Sequence, residues 1–409
     1  MGRRVRAALA ALALLPGVAL AQACPDSLAG KPIGFQLAAL DAVRRDAGAM
    51  TLPPKVKSAY DAVVSDAESA LGRGPYTVTD KTRVPPSGDK KDYASLAPYW
   101  WPDPSKPDGL PYRRRDGQTN PERDGDAFDK TRATAMVEGV FALAVAAYLT
   151  GEPRYAEYAD HLIAVWFVDP ATAMNPSLTY AQSVPGQSEG RGIGIIDSRA
   201  FQEVADAAAL LALMGALDEG TEAGFRQWIG AYAAWLIQSD NGKEERAEEN
   251  NHGTFYDSQL VHFLVYAGRC DLAARVIEDT KARVVSQIRP NGIMPHEAKR
   301  TRSMHYHGFN AEAFLRLSLM AERLGVDLYD YEVGASGSVR DALRKLGAYN
   351  GRADAWPYER QDRRGERTLW QALTRSLMLD PDDAEIRTAL RRFDAGEDDD
   401  VLRLLTYGL

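Results

Sequence analysis

Two segments about fifty residues apart gather side chains suited to proton transfer beside an anion. They are Asn250-Asn251-His252 and Lys299-Arg300-Thr301-Arg302-Ser303-Met304-His305-Tyr306-His307. Amides and guanidinium groups can hold a carboxylate, an imidazole can hold one or take a proton, and a phenol can give one. Four of the six histidines lie in these segments or just ahead of the second. Each segment stands before an apolar helical pattern, beginning near Gly253 in one case and Asn310 in the other. A helix start adds unpaired N–H groups and the positive end of a dipole to any anion that docks there.

Plainer readings stand beside these. A helix needs one asparagine as its N-cap, which does not account for two and a histidine. Lys299, Arg300 and Arg302 are readily solvated on a surface. In an extended backbone His305 and His307 would face one way and Tyr306 the other, so one side alone could meet a substrate. His252, His305 and His307 could offer three nitrogens to a metal. No metalloprotease-type or carboxylate–histidine spacing accompanies them, and no metal or other cofactor is expected. A glycosidase-type carboxylate pair could be drawn from Asp126, Asp129, Glu189, Asp197, Asp257 and Glu297, but nothing singles out two. His161 falls in an amphipathic stripe and reads as structural.

The elements that must position these groups are helical. Apolar residues recur at helical spacing over 34–47, 53–71, 131–149, 154–167, 198–214, 221–238, 253–267, 271–287, 310–324, 336–347, 367–379 and 382–393. Alternating β-branched stretches are few. The pattern is one of repeated helical hairpins, which predicts an all-α fold of about 12–14 helices. An incomplete α/α toroid fits that series better than a four-helix bundle, and an open solenoid is the competing arrangement. No low-complexity linker interrupts the chain, so residues 22–409 read as one domain.

Two long polar loops break the series. Residues 72–125 are rich in Pro, Gly and charge and carry Tyr99, Trp100 and Trp101, then Arg113, Arg114 and Arg115. Such a loop either lays its aromatics and arginines over a sugar cleft or packs them against its own domain. Residues 175–197 carry Tyr180, Gln182 and Arg191. The glycines from Gly190 to Gly194 lack the strand–helix context of a dinucleotide site.

The first 21 residues form an export leader: Arg3, Arg4 and Arg6, a short apolar run, and Ala19-Leu20-Ala21 as a cleavage site. That run is too short to span a membrane, and Cys24 lacks a good lipoprotein context. A periplasmic or secreted protein is expected. Loss of the three leader arginines takes the formal net charge from -8 to -11, which excludes nucleic acid as a natural partner. Positive charge focused in one cleft still permits an anionic substrate. In an oxidising compartment the two cysteines, Cys24 and Cys270, can pair; two free thiols are the alternative.

Asn-Asn-His, followed by Lys-Arg and then Tyr-His, resembles the alginate lyase family of periplasmic α/α-toroid polysaccharide lyases. The aromatic loop and the stretch Tyr180 to Asp197 look closer to a related family acting on glucuronan or alginate. The likeness spans Tyr93 to Leu324. It implies that Asn251 and His252 contact a substrate carboxylate, that Arg300 binds it, and that Tyr306 is catalytic. Arginine to tyrosine is one residue shorter here than in the best-known alginate lyases, so Arg302 is the alternate arginine. The implied reaction is β-elimination at a 4-linked uronic acid, leaving a C4–C5 double bond. The implied partner is an anionic polysaccharide, either glucuronan or polymannuronate-containing alginate. Further substrate-binding candidates are Asn250, Arg302, His305, His307, Tyr180, Gln182, Arg191, Trp100, Trp101, Arg113, Arg114 and Arg115. A toroid glycoside hydrolase and a non-catalytic uronan-binding protein are the rival functions.

Overall fold

The computed structural model describes residues 24–26, 28, 30–360, 364–394 and 400–409. Residues 1–21, expected to be an export leader, lie outside the described residues. Fifteen α-helices stand among them, with four short strands. The helices are α1 (Leu37–Gly48), α2 (Pro54–Leu71), α3 (Lys130–Thr150), α4 (Pro153–Phe167), α5 (Phe201–Leu213), α6 (Glu219–Gln238), α7 (Asp240–Ala247), α8 (Asn251–Tyr266) and α9 (Cys270–Gln287). After these come α10 (Pro295–Ala298), α11 (Ser303–Arg323), α12 (Val339–Gly347), α13 (Arg364–Ser376), α14 (Ala384–Arg392) and α15 (Asp400–Leu405).

Helices α3, α5, α8, α11 and α13 touch in that order and form an inner arc. Their hairpin partners α4, α6, α9, α12 and α14 stand behind. The arc returns from α13 to α3 through α15, α1 and α2, so the toroid closes with helices that are not part of the inner series. In α8 every residue but His252 is buried. Such a helix must satisfy its polar residues internally. Ser258 donates to Gln202, and Tyr256 donates to the Leu236 carbonyl. A disulfide joins Cys24 to Cys270, the first residue of α9.

Two small sheets root the loops over one end of the toroid. β1 (Ala94–Leu96) pairs in parallel with β4 (Tyr180–Ser183), which ties the long loops together. β2 (Trp100–Trp101) pairs antiparallel with β3 (Arg113–Arg114), placing Trp100 opposite Arg114 and Trp101 opposite Arg113. The root of the first loop is a fully buried ion pair, Lys81 Nζ to Asp129 at 3.0 Å. Lys81 also donates to the Val78 and Lys90 carbonyls, and Asp129 accepts from the Ala94 backbone. The glycines at 190–194 serve packing. A Cβ on Gly194 would lie 2.6 Å from the Ala181 carbonyl oxygen, and one on Gly192 would lie 2.7 Å from that of Asn241.

Candidate active site

The two polar segments do meet, through residues between and beyond them. Asn250 is the N-cap of α8: its Oδ1 accepts from the His252 backbone at 2.9 Å, and its Nδ2 donates to Glu248. Its side chain thus serves the helix start, with one N–H of its amide on Glu248. Asn251 is buried and held by Glu297. One oxygen of that carboxylate accepts from the Asn251 backbone at 2.7 Å, and both accept from its Nδ2. This sets the orientation of the amide. Burial raises the Glu297 carboxyl above the usual range, against the pull of the Asn251 donors and of the Arg300 and His252 charges.

His252 is oriented by Glu245 on α7, which is fully buried and 3.0 Å from Nδ1. Nε2 is then the nitrogen left to meet a ligand. Burial alone would lower the affinity of this imidazole for its proton. The Glu245 carboxylate, aided by Glu248 and Glu297, outweighs that and holds the pKa above the ordinary histidine value.

Tyr306 lies one turn into α11, 7% exposed. Its hydroxyl is 2.8 Å from that of Tyr99 in the aromatic loop. The Arg300 guanidinium stands 3.8 Å from the centre of its ring, close enough for a cation–π contact. Asp116 takes Arg300 Nη2 at 3.3 Å and Thr301 Oγ1 at 3.0 Å, so Nη1 remains for a ligand. Arg302 instead donates to the Gly117 carbonyl. Of the two arginines, Arg300 is the one on the tyrosine. Burial pushes the Tyr306 phenol well above its usual pKa, although Arg300 pulls the other way. The resting form is therefore the neutral phenol, a proton donor.

The extended backbone expected for His305-Tyr306-His307 is wrong, because α11 begins at Ser303. On a helix these three residues point in three directions. His307 turns into the core. Its Nδ1 donates to the Ser303 carbonyl and its Nε2 accepts from the Met294 backbone, and burial pushes its pKa down to about 4. It binds structure and not substrate. His305 pairs with Thr368 Oγ1 at 2.9 Å and stacks on Phe309, its ring 5.2 Å from that of Tyr306. The three imidazoles thus have separate partners, and no group of three His, Cys, Asp or Glu residues among those described is arranged to hold a metal.

The second loop reaches the site at Gln182 and Arg191. Gln182 has a φ of 49°, a strained setting for a residue with a side chain. It is held there by Ser95 Oγ on its N–H, Asp197 on Nε2, and Arg191 on both its carbonyl oxygens. Arg191 also faces the Trp100 ring at 5.8 Å. Tyr180 is half-buried in β4. Trp101 lies under Arg115 at 5.3 Å and donates to the Gln118 carbonyl. Arg113 pairs with Asp103 and Arg114 with Asp116, both arginines being exposed.

Sequence reading passed over Asp116 and Glu245, took Tyr99 only as one of the loop's three aromatics, and listed Glu297 only as a hydrolase carboxylate. Glu245 sits in the charged run 243–249 that reads as a solvated face. The break between α7 and α8 folds it back onto His252. Glu297 had no local signal, since its partner Asn251 lies 46 positions away.

The family model for alginate lyase matches residues 77–356. An alginate lyase from Bacteroides ovatus, of known crystal structure, is 34% identical, with 92% of this chain and 99% of that chain covered at a TM-score of 0.86. Alginate lyase A1-III from Sphingomonas species A1 shares the fold at 17% identity and a TM-score of 0.57, over 88% of this chain and 92% of that one. No curated protein matches significantly. With its family match covering most of the chain and its toroid shared end to end, the chain belongs to the alginate lyase family and is a polysaccharide lyase.

Proposed function

We propose that the protein is exported and cleaves 4-linked uronans, mannuronate-rich alginate first and glucuronan second, by β-elimination. The observation that carries this reading is the stack of Arg300 on Tyr306, whose hydroxyl meets Tyr99, beside the Asn251–Glu297 and His252–Glu245 pairs. The leader-type N-terminus supports export.

The C5 proton of a uronate is poorly acidic until the C6 carboxylate is neutralised. Asn251, Arg300 and protonated His252 supply the donors for that carboxylate and for the enolate-like charge that builds on it. Tyr306 gives the proton that the leaving O4 needs. In β-mannuronate and β-glucuronate, H5 and O4 lie on one side of the ring, so one phenolic centre can serve both: once its own proton has passed to Tyr99 and solvent, the phenolate beside Arg300 takes H5 and then gives that proton to O4. The hydrogen bond to Tyr99 gives Tyr306 a second oxygen through which to pass a proton. For α-guluronate the base must act from the opposite side, a task for free-base His252. Glu245 favours the charged imidazole instead, the form that binds a carboxylate and not the one that removes H5. This supports syn elimination and the substrates that undergo it.

The test is separate digestion of polymannuronate, polyglucuronate and polyguluronate, with ultraviolet absorbance reporting the unsaturated product. Absorbance from the first two substrates is expected. New reducing ends without absorbance would mean hydrolysis, and binding without either would mean a non-catalytic uronan-binding protein.

A further inference from the structure

Behind the catalytic layer the helices enclose a cavity of about 780 Å³, a size that takes small ligands. It is lined by Asp66, Ser69 and Arg73, which are exposed, and by the half-buried Lys130, Arg199 and Phe309. His305, stacked on Phe309 at 5.7 Å and 5.2 Å from the Tyr306 ring, separates this space from the tyrosine.

The charges on its wall are unevenly matched. Arg316 is met by Glu203 and Glu312, each at 3.0 Å, and Glu312 also faces Arg375 at 3.5 Å. Lys130 and Arg199 have no carboxylate within 4.0 Å among the described residues. Lys130 donates to the Asp197 carbonyl at 3.3 Å, and Arg199 to the Ile196 carbonyl at 3.5 Å. A lysine has three donors and an arginine five, so most of theirs are unspent. The nearby Asp197 carboxylate is occupied by Ser95, Tyr93 and Gln182. Burial, with the Arg199 and Arg123 charges, holds Lys130 down at about 8 despite Asp197. An anion between the two cations would relieve that repulsion. The Arg199 guanidinium lies 5.2 Å from the Phe309 ring, and Phe255 packs 4.3 Å from the same ring, which gives an apolar floor.

We propose that this cavity is a second anion site, in which Lys130 and Arg199 hold the carboxylate of a small sugar acid over Phe309. The sugar-acid assignment rests on the uronan reading, since cleavage releases short uronates nearby. The experiment is calorimetric titration of the full-length protein with D-glucuronate, inorganic phosphate and glucose. A glucuronate site should persist in Arg300→Ala at its wild-type affinity, and that site should weaken at least tenfold in Lys130→Met and Arg199→Gln. Arg199→Lys should keep binding, and glucose should not bind. Unliganded melting curves identify any variant that fails to fold, and the Arg199 pair then carries the test. Binding lost in Arg300→Ala but kept in Lys130→Met would move the ligand to the catalytic pocket and overturn the proposal. Phosphate binding without glucuronate binding would overturn the sugar-acid assignment. If no uronan is cleaved yet Lys130-dependent glucuronate binding persists, the uronan reading fails and the cavity site stands.

Discussion

The helical wall of the pocket and the loop laid against it hold their polar groups by different means. On the wall, Asn251 and His252 are gripped by Glu297 and Glu245, both at 0% exposure. On the loop, the Arg113 and Arg114 side chains are 67% and 58% exposed and pair with neighbours in their own loop. Exposed pairs contribute about 0–1 kcal/mol each. Removing one partner of a buried pair costs roughly 3–5 kcal/mol, because the other charge is left uncompensated. The wall can therefore fix atoms to the tolerance that chemistry needs, while the loop can rearrange around a polymer. Tyr99 crosses this divide, since it is a loop residue that touches the wall's tyrosine.

The sharpest way to break the comparison is Tyr306→Phe, on the wall. Turnover should fall by about 10²–10⁴-fold, the usual range for a lost general acid, with polymer affinity retained in an equilibrium binding assay. Normal turnover would remove Tyr306 from the chemistry. Lys81→Ala comes next, at the root of the loop, where the pairing is built like the wall. Denaturant melts should show a loss of about 3–5 kcal/mol; a loss under about 1 kcal/mol would show the root to be as weakly held as the loop's surface.

Glu245→Gln tests how the wall tunes a charge. Glu245 raises the His252 pKa, so its loss should lower it. If charged His252 binds the substrate carboxylate, KM should start to climb at lower pH in the variant. A roughly tenfold rise near neutrality, about 1.4 kcal/mol, is expected. Linkage runs in the same direction: a histidine with a raised folded pKa contributes stability below its unfolded pKa, and that contribution is lost as pH rises through the folded value. The variant should lack this pH-dependent part. A KM profile unmoved by the substitution would make Glu245 a packing residue. The smallest effect belongs to Arg113→Ala on the loop. KM should change by less than about fivefold, because the arginine is exposed and Ser105 still holds the buried Asp103 carboxylate, and the difference should shrink as salt is added.

Much of the toroid was legible because helix periodicity is local. The hairpin series, the two polar loops and the placing of both polar clusters at helix starts follow from apolar spacing and turn residues. The start of α11 was misplaced by seven residues, from Asn310 to Ser303, because Ser303 to Phe309 is polar enough to look like loop. Its polar side chains are satisfied by Met294, Thr368 and Tyr99 on other elements. Glu245 was hidden for a related reason, since a charged run reads as solvated unless the fold turns one member inward.

By itself, then, the sequence determined an all-helical array of hairpins and the residue types gathered at two helix starts. Tertiary structure decided which of those residues face the cleft. His305, Tyr306 and His307 are adjacent in the chain, yet only Tyr306 meets Arg300, because each step along a helix turns the side chain by about 100°. Tertiary structure also chose the partners: Tyr99 reaches Tyr306 across 207 positions and Glu297 reaches Asn251 across 46. Local spacing carries no information about such pairings. They arise when helices pack and buried polar groups must find one another.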